Sequence, residues 1–342
     1  MKKIDLVTAK GKSEVFIGGK IEVVTSRFKK NKTVVLADEN LLRFHSSKFT
    51  GFPVISIGSG EMAKSMDQAV KLYHQLLDME VDRSWFLIGA GGGIATDLSG
   101  FVASTFLRGI PFGFVSTTLL GQVDAAIGGK NGVNLDGYKN MVGIIRQPEF
   151  IYCDIESLST LPEKEFLCGF AEIIKYGAIR DRKFFNYLDN HLEEGLSKNT
   201  RVLETMIYES VKNKIEVVSV DENEQGERKF LNFGHTFAHA YEKLYKIPHG
   251  EAVAVGMLLA ARLSINLGLL DASKESELEN LIRRSGLPVQ LEFDPELFAE
   301  VMRKDKKRSG EEISFVLLED IGKALIKNIL VDDLKSMLYD LR

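Results

Sequence analysis

Up to about residue 155 the chain alternates short runs of β-branched and aromatic residues with amphipathic stretches. "TVVLAD" (33 to 38), "FPVISIG" (52 to 58), "SWFLIGAGGG" (84 to 93), "GFVSTT" (113 to 118) and "FIYCD" (150 to 154) read as strands. "EMAKSMDQAVKLYHQLLDM" (61 to 79), lying between two of them, reads as a helix. That alternation predicts a mostly parallel α/β layer. After "LPEKEF" (161 to 166) the apolar positions recur with a 3.6-residue period, over 169–195, 200–219, 233–245, 250–267, 273–285 and 296–304, so the second half is expected to be mainly helical. Near the end "ISFVLLEDIGKALIKNI" reads as a short hairpin and "DDLKSMLYDL" as a closing helix. No internal repeat or flexible linker interrupts the pattern. The expected organisation is an α/β domain over 1–160 and a mainly α-helical domain over 161–342, with the cleft at their junction a natural place for a site.

Composition narrows the function classes. The 342 residues are 44% apolar and 27% charged, ordinary for a globular protein. With 44 Lys plus Arg against 48 Asp plus Glu, the net charge of -4 favours neither a nucleic-acid partner nor an anionic membrane. Any cationic site must be local. Cys153 and Cys168 make no disulfide framework and no Cys-x-x-Cys pair, which fits a reducing cytoplasm. The N-terminus lacks an apolar segment of signal-peptide length, and the run "AVAVGMLLAA" is ten residues bounded by Glu251 and Arg262, so neither secretion nor membrane insertion is expected.

Three stretches carry candidate chemistry. "WFLIGAGGGIATDLSG" joins a predicted strand to a predicted helix through Gly89, Gly91, Gly92 and Gly93, which suits either a pyrophosphate at the helix N-terminus or a tight turn without a ligand. It departs from the standard G-x-G-x-x-G spacing, and Asp97 falls in the first turn, where an acid also complements the helix dipole. In "VSTTLLGQVDAAIGGKNGVNLDGYKN" (115 to 140) a glycine-dotted loop follows Thr117 and Thr118, and no charge lies between Arg108 and Asp124, so Asp124 and Lys130 are expected to emerge from largely buried surroundings. In "LNFGHTFAHAYEKLYKIPHGEAVAVGM" (231 to 257) His235 and His239 share a helix face one turn apart and His249 opens the next helix. Such histidines suit a surface or a core unless a carboxylate joins them, since three protein ligands and an open position are the pattern of a catalytic Zn²⁺. "GFAEIIKYGAI" offers Glu172 as that carboxylate, with Lys175 three residues on. Lys214, Glu224, Arg228 and Asn232 around "DENEQGER" read equally well as a solvated charge run, and "RKDKKRSG" (303 to 310) reads more readily as an exposed basic loop.

Taken in series, "GGGIATD", "TTLLGQVDAAIGGK", "GYKNMVG", "GFAEIIKYG", "DENEQGER" and "LNFGHTFAHA…HGEAVAVGM" resemble the 3-dehydroquinate synthase family, from "ADEN" through "RKDKKRSG". The resemblance implies an NAD-binding α/β domain, with a mostly parallel sheet, before a helical metal- and substrate-binding domain. Its NAD site would use Asp38, Asn40, Glu61, Lys64, Gly91, Gly92, Gly93, Asp97, Thr117, Thr118, Lys139 and Thr160. Glu172, His235 and His249 would hold one divalent ion, Zn²⁺ or Co²⁺. Asp124, Lys130, Lys175, Glu224 and His239 would serve the chemistry, and Asn140, Lys214, Arg228, Asn232 and Lys306 the substrate, with Arg108 reaching in from the partner of a homodimer. Gly121, Asn131 and Ser157 are small departures that touch NAD contacts rather than the reaction.

The implied substrate is a phosphorylated sugar acid, and the implied reaction oxidises a ring hydroxyl with NAD⁺, eliminates the neighbouring phosphate, returns the hydride and closes a carbocycle by aldol addition. Rival readings are an amino-dehydroquinate or carboxylate-free cyclitol synthase, a metal-dependent polyol dehydrogenase that would consume NAD, and a nucleotide-binding module without chemistry.

Overall fold

The computed structural model describes residues 1–136, 138–303, 308, 309 and 311–342. By internal contacts the chain forms two compact units. The first comprises Met1–Phe166 and Leu203–Asn223, the second Leu167–Val202 and Glu224–Arg342. A helical segment beyond residue 160 therefore belongs with the α/β part.

Among the described residues of the first unit the strands are β1 (Lys2–Thr8), β2 (Gly11–Ile17), β3 (Thr33–Ala37), β4 (Val54–Ser56), β5 (Phe86–Gly91), β6 (Phe112–Ser116), β7 (Lys130–Leu135), β8 (Tyr138–Ile145) and β9 (Phe150–Cys153). Seven of them form one sheet in the order β1-β2-β9-β6-β5-β3-β4. All neighbours are parallel except β1 and β2. The five strands expected from the sequence are β3, β4, β5, β6 and β9, and β3, β5, β6 and β9 are buried along their whole length, as strands covered on both faces must be. Helices α1 (Glu22–Thr25), α2 (Glu39–His45), α3 (Met66–Asp78) and α4 (Gly93–Thr105) connect them. Chain order reverses between β3 and β5, and at such a switch point the carboxyl ends of the strands leave a crevice for a ligand.

The helical part comprises α5 (Glu163–Arg180), α6 (Arg182–Asn190), α7 (Leu192–Leu196), α8 (Thr200–Val220), α9 (His235–Tyr245), α10 (His249–Asn266), α11 (Ala272–Arg284), α12 (Pro295–Arg303) and α13 (Leu334–Leu341). The segment expected as one run over 169–195 is broken where the Asp181 side chain accepts the Phe184 N–H and so starts α6 afresh. α10 is apolar on nearly every side and correspondingly buried, packing against α9 and against β11 (Glu312–Asp320). That strand is the centre of a small antiparallel sheet, between β10 (Arg308–Ser309) and β12 (Lys323–Leu330), which is the hairpin read near the end of the chain. No helix among the described residues is long and apolar enough to cross a membrane.

Candidate functional site

In the first unit the glycine-rich turn sits at the switch point. β5 ends at Gly91 and α4 begins at Gly93, so the free N–H groups of the helix start face the crevice. A Cβ on Gly91 would stand 2.8 Å from the Asp38 Cβ, one on Gly92 2.8 Å from the Thr118 methyl, and one on Gly93 2.8 Å from the Ala125 Cβ. The turn is thus a cradle of bare backbone walled by Asp38 and Thr118. Asp38 caps α2 through the Asn40 N–H at 2.8 Å, and burial pushes its carboxyl up in pKa against the hydrogen bonds from Asn40 and Leu41. An acid at the end of the strand neighbouring the glycine turn is where a ribose hydroxyl is received in dinucleotide folds.

Further contacts tie the other nucleotide candidates together. Asp97 on α4 pairs with Lys64, which also donates to Asn140 Oδ1 at 2.6 Å. Burial pushes the Asp97 pKa up, opposed by the Lys64 charge. Glu61 Oε1 accepts from Asn134 Nδ2 at 2.7 Å, and the Thr117 N–H donates to the Gly91 carbonyl at 3.0 Å. Thr160 lies 2.7 Å from His45 Nε2, while Asn40 and Lys139 are exposed.

The stretch read as a loop after Thr118 is more ordered than expected. Gly121–Ala125 makes a wide helical turn, and Lys130 opens the β7–β8 hairpin. Asp124 is partly buried and its backbone carbonyl and carboxylate both accept from Lys214 Nζ, the carbonyl at 2.6 Å. Lys214 is buried, so it is no solvated charge. Lys130, by contrast, is itself exposed although the residues on both sides of it are buried. Arg108 is exposed beside Leu107, both with positive φ (66° and 51°), a left-handed pair that turns the arginine outward.

In the second unit the two histidine helices and α5 converge through glycines. A Cβ on Gly256 would fall 2.2 Å from the Gly234 carbonyl oxygen, and one on Gly250 2.3 Å from the Cys168 Cα. Only glycine lets α10 lie this close to the start of α9 and to α5. The consequence is local: His235, first in α9, and His249, first in α10, meet Glu172 one turn beyond Cys168. His249 Nε2 lies 3.2 Å and His235 Nε2 3.5 Å from Glu172 Oε1, and the candidate ligand atoms of the three residues all fall within 4.8 Å of one another. His235 Nδ1 is 3.1 Å from the Phe233 carbonyl oxygen and His249 Nδ1 2.8 Å from Glu242 Oε1. With both Nδ1 atoms donating, both Nε2 atoms are turned toward one carboxylate, and once deprotonated they make with it the donor set a divalent ion takes. Glu172 is fully buried and ion-paired with the equally buried Lys175. Burial disfavours a charged His249, yet hydrogen bonds to Glu172 and Glu242 outweigh it and push its pKa up to about 10 without a metal.

The remaining candidates of this unit lie nearby in sequence and partly in contact. Asn232 Nδ2 donates to Glu224 Oε1 at 2.7 Å, and Glu224 holds a left-handed φ of 60°. Arg228 is buried within the turn Glu227–Asn232, so "DENEQGER" is no solvated run either. His239 is exposed, its ring 6.0 Å from that of His235 on the same face of α9. Lys306 lies outside the described residues. Glu242 did not stand out in the sequence; the signal was its place seven residues after His235, two turns along the same helix face.

A glycine cradle at a strand switch point in one unit and a His₂Glu centre in the other define a class of nucleotide- and metal-dependent enzymes. The fold is shared with a 2-deoxy-scyllo-inosose synthase solved with carbaglucose-6-phosphate, NAD⁺ and Co²⁺ (TM-score 0.87, 24% identity, covering 99% of this chain and 100% of that one). A 2-epi-5-epi-valiolone synthase from Streptomyces hygroscopicus, solved with NAD⁺ and Zn²⁺, superposes equally well (TM-score 0.87, 23% identity, 98% of each chain). The sequence pattern of the 3-dehydroquinate synthase N-terminal family matches residues 54–168, and that of the C-terminal family residues 169–308. Two proteins named 3-dehydroquinate synthase from Dehalococcoides mccartyi strains are 38% identical over all of both chains and 42% identical over 84% of this chain and 81% of the other. The chain belongs to the 3-dehydroquinate synthase family.

Proposed function

We infer that the chain converts 3-deoxy-D-arabino-heptulosonate 7-phosphate to 3-dehydroquinate and phosphate, as a lyase of aromatic biosynthesis. The observation that carries the reading is the convergence of His235 and His249 Nε2 on Glu172 within a sequence that matches this family along most of its length. NAD is held by the Gly91–Gly93 cradle with Asp38, Asn40, Glu61, Lys64, Asp97, Thr117, Thr118, Lys139 and Thr160, and a divalent ion, Zn²⁺ or Co²⁺, by Glu172, His235 and His249. When bound, NAD⁺ takes up and returns a hydride while the ion acidifies a hydroxyl and polarises a carbonyl.

The chain's own groups do the rest. Lys175 balances the Glu172 carboxylate where water is excluded, so the centre carries its charge without an uncompensated buried anion. Asp124 and Glu224 orient substrate hydroxyls, each fixed by a partner, Lys214 and Asn232 respectively. His239, exposed on the metal-facing side of α9, moves protons to and from the substrate. Lys130, Asn140, Asn232, His239 and Arg108 receive the phosphate, and Lys214 and Arg228 the carboxylate; Lys306 serves one of these two poles. The protein works in the cytoplasm, consistent with Cys153 and Cys168 forming no disulfide, as a homodimer in which Arg108 completes the partner's site.

The test is product identity. Incubated with the heptulosonate phosphate, the enzyme should yield equimolar phosphate and a carbocyclic keto acid, and it should leave a sugar phosphate without the acid group untouched. Equal turnover of the acid-free sugar would make a carboxylate-free cyclase the correct reading.

A further inference from the structure

His249 is held at both ring nitrogens. Nε2 faces Glu172 Oε1 at 3.2 Å, and Nδ1 donates to Glu242 Oε1 at 2.8 Å. His235 is held differently, since its Nδ1 donates to the Phe233 backbone carbonyl at 3.1 Å. One imidazole is therefore aimed by a neutral backbone dipole and the other by a carboxylate. The two histidines also differ in what precedes them: His235 follows a left-handed Gly234, where a Cβ would stand 2.7 Å from the Met257 backbone nitrogen, whereas His249 follows Pro248. The brace behind His249 is a side-chain carboxylate. Glu242 supplies it from α9, two turns beyond His235 on one face, so a single helix carries one ligand and the group that aims the other.

We propose that Glu242 is a positioning residue of the metal centre, holding His249 with Nε2 toward Glu172 and strengthening it as a donor relative to His235. The proposal rests on the assignment of Glu172, His235 and His249 as ligands. A carboxylate behind a ligating imidazole fixes its tautomer and ring plane and adds electron density to the distal nitrogen, and removing such a partner costs about 10- to 100-fold in metal affinity. A merely structural acid on α9 would alter the stability of the metal-free chain and leave affinity for the ion alone.

The experiment measures Co²⁺ affinity by competition with a chromogenic chelator at fixed pH, together with the visible absorption of the Co²⁺ form and the melting temperature of the metal-free chain. Wild type is compared with Glu242→Ala, Glu242→Gln and His249→Ala. Glu242→Ala should bind Co²⁺ about 10- to 100-fold more weakly, with a shifted visible band, in a chain that still melts cooperatively without metal. Glu242→Gln keeps an oxygen acceptor for the Nδ1–H without its charge, so it should lose less affinity and retain the band. Should Glu242→Ala fail to fold, the Gln variant decides, weakened binding supporting the role and wild-type binding overturning it. Wild-type affinity and spectrum in both Glu242 variants, with His249→Ala defective, would overturn the positioning role alone. Wild-type Co²⁺ binding by His249→Ala would instead overturn the ligand assignment and the proposal with it.

Discussion

His249 Nε2 stands 3.2 Å from Glu172 Oε1 although 77 residues separate the two in sequence, and the contact exists because Gly250, the next residue, lies against the Cα of Cys168. The candidate metal centre is therefore built by helix packing, with the side chains following from it. α10 approaches α5 through Gly250 and α9 through Gly256, and each approach is closer than any Cβ permits.

Glycine at these positions should accordingly be worth more to metal binding than to the local backbone. Gly256→Ala drives a methyl into the Gly234 carbonyl, and overpacking of this kind costs about 1–3 kcal/mol. The expected outcome is a lowered melting temperature together with weaker Co²⁺ binding, because the two helix starts are pushed apart. Calorimetry and chelator competition on the same preparation check both; lowered stability with unchanged affinity would separate packing from the metal centre.

Metal binding should depend on pH with a definite sign. Against burial, hydrogen bonds to Glu172 and Glu242 push the His249 pKa from its ordinary 6.5 up to about 10 in the metal-free chain, so a proton held there must be released when an ion binds. Affinity should rise as pH rises toward about 10, with protons released as the ion binds. The same shift makes the metal-free chain gain stability from His249 that is complete below about pH 6.5 and lost as pH rises toward 10. Melting of the metal-free wild type and His249→Ala between these limits measures it; the variant should lack the decline.

Arg228 is the planar fork suited to two carboxylate oxygens, and its burial removes competing water. Arg228→Ala should cost about 2–5 kcal/mol in transition-state binding, on the order of 30-fold or more in kcat/KM. Arg228→Lys should recover only part of it. Steady-state kinetics of both variants decide, and full activity of the lysine variant would remove the bidentate role.

Arg108 should act across a dimer. Arg108→Ala should fold and lose activity, while mixing it with Lys130→Ala chains under subunit exchange should restore one working site per heterodimer. Activity of the mixed and unmixed samples, with exchange verified by native mass spectrometry, gives the answer; no rescue would place Arg108 within its own subunit's site.

The strands that carry the crevice were legible because covered parallel strands read as unbroken apolar runs, as in β5 and β6. β1 was not, since Lys2–Thr8 alternates exposed and partly buried positions and only Leu6 is buried. The β7–β8 hairpin read as a loop because β8 buries almost nothing, leaving no periodic signal. In the second unit the candidate ligands were legible as residue types, yet their meeting depends on Gly234, Gly250 and Gly256, whose role is a distance that spacing does not encode. Glu242 looked like any helix-surface acid, and the Asp124–Lys214 contact joins residues 90 apart.

If the chain uses NAD as a catalyst in a phosphate elimination, the ratio of phosphate released to NAD supplied will show it. With the heptulosonate phosphate in large excess over trace NAD⁺, phosphate should exceed NAD many-fold while NADH absorbance stays flat. Phosphate release that stops at one equivalent of NAD, or NADH accumulating in step with product, would contradict it.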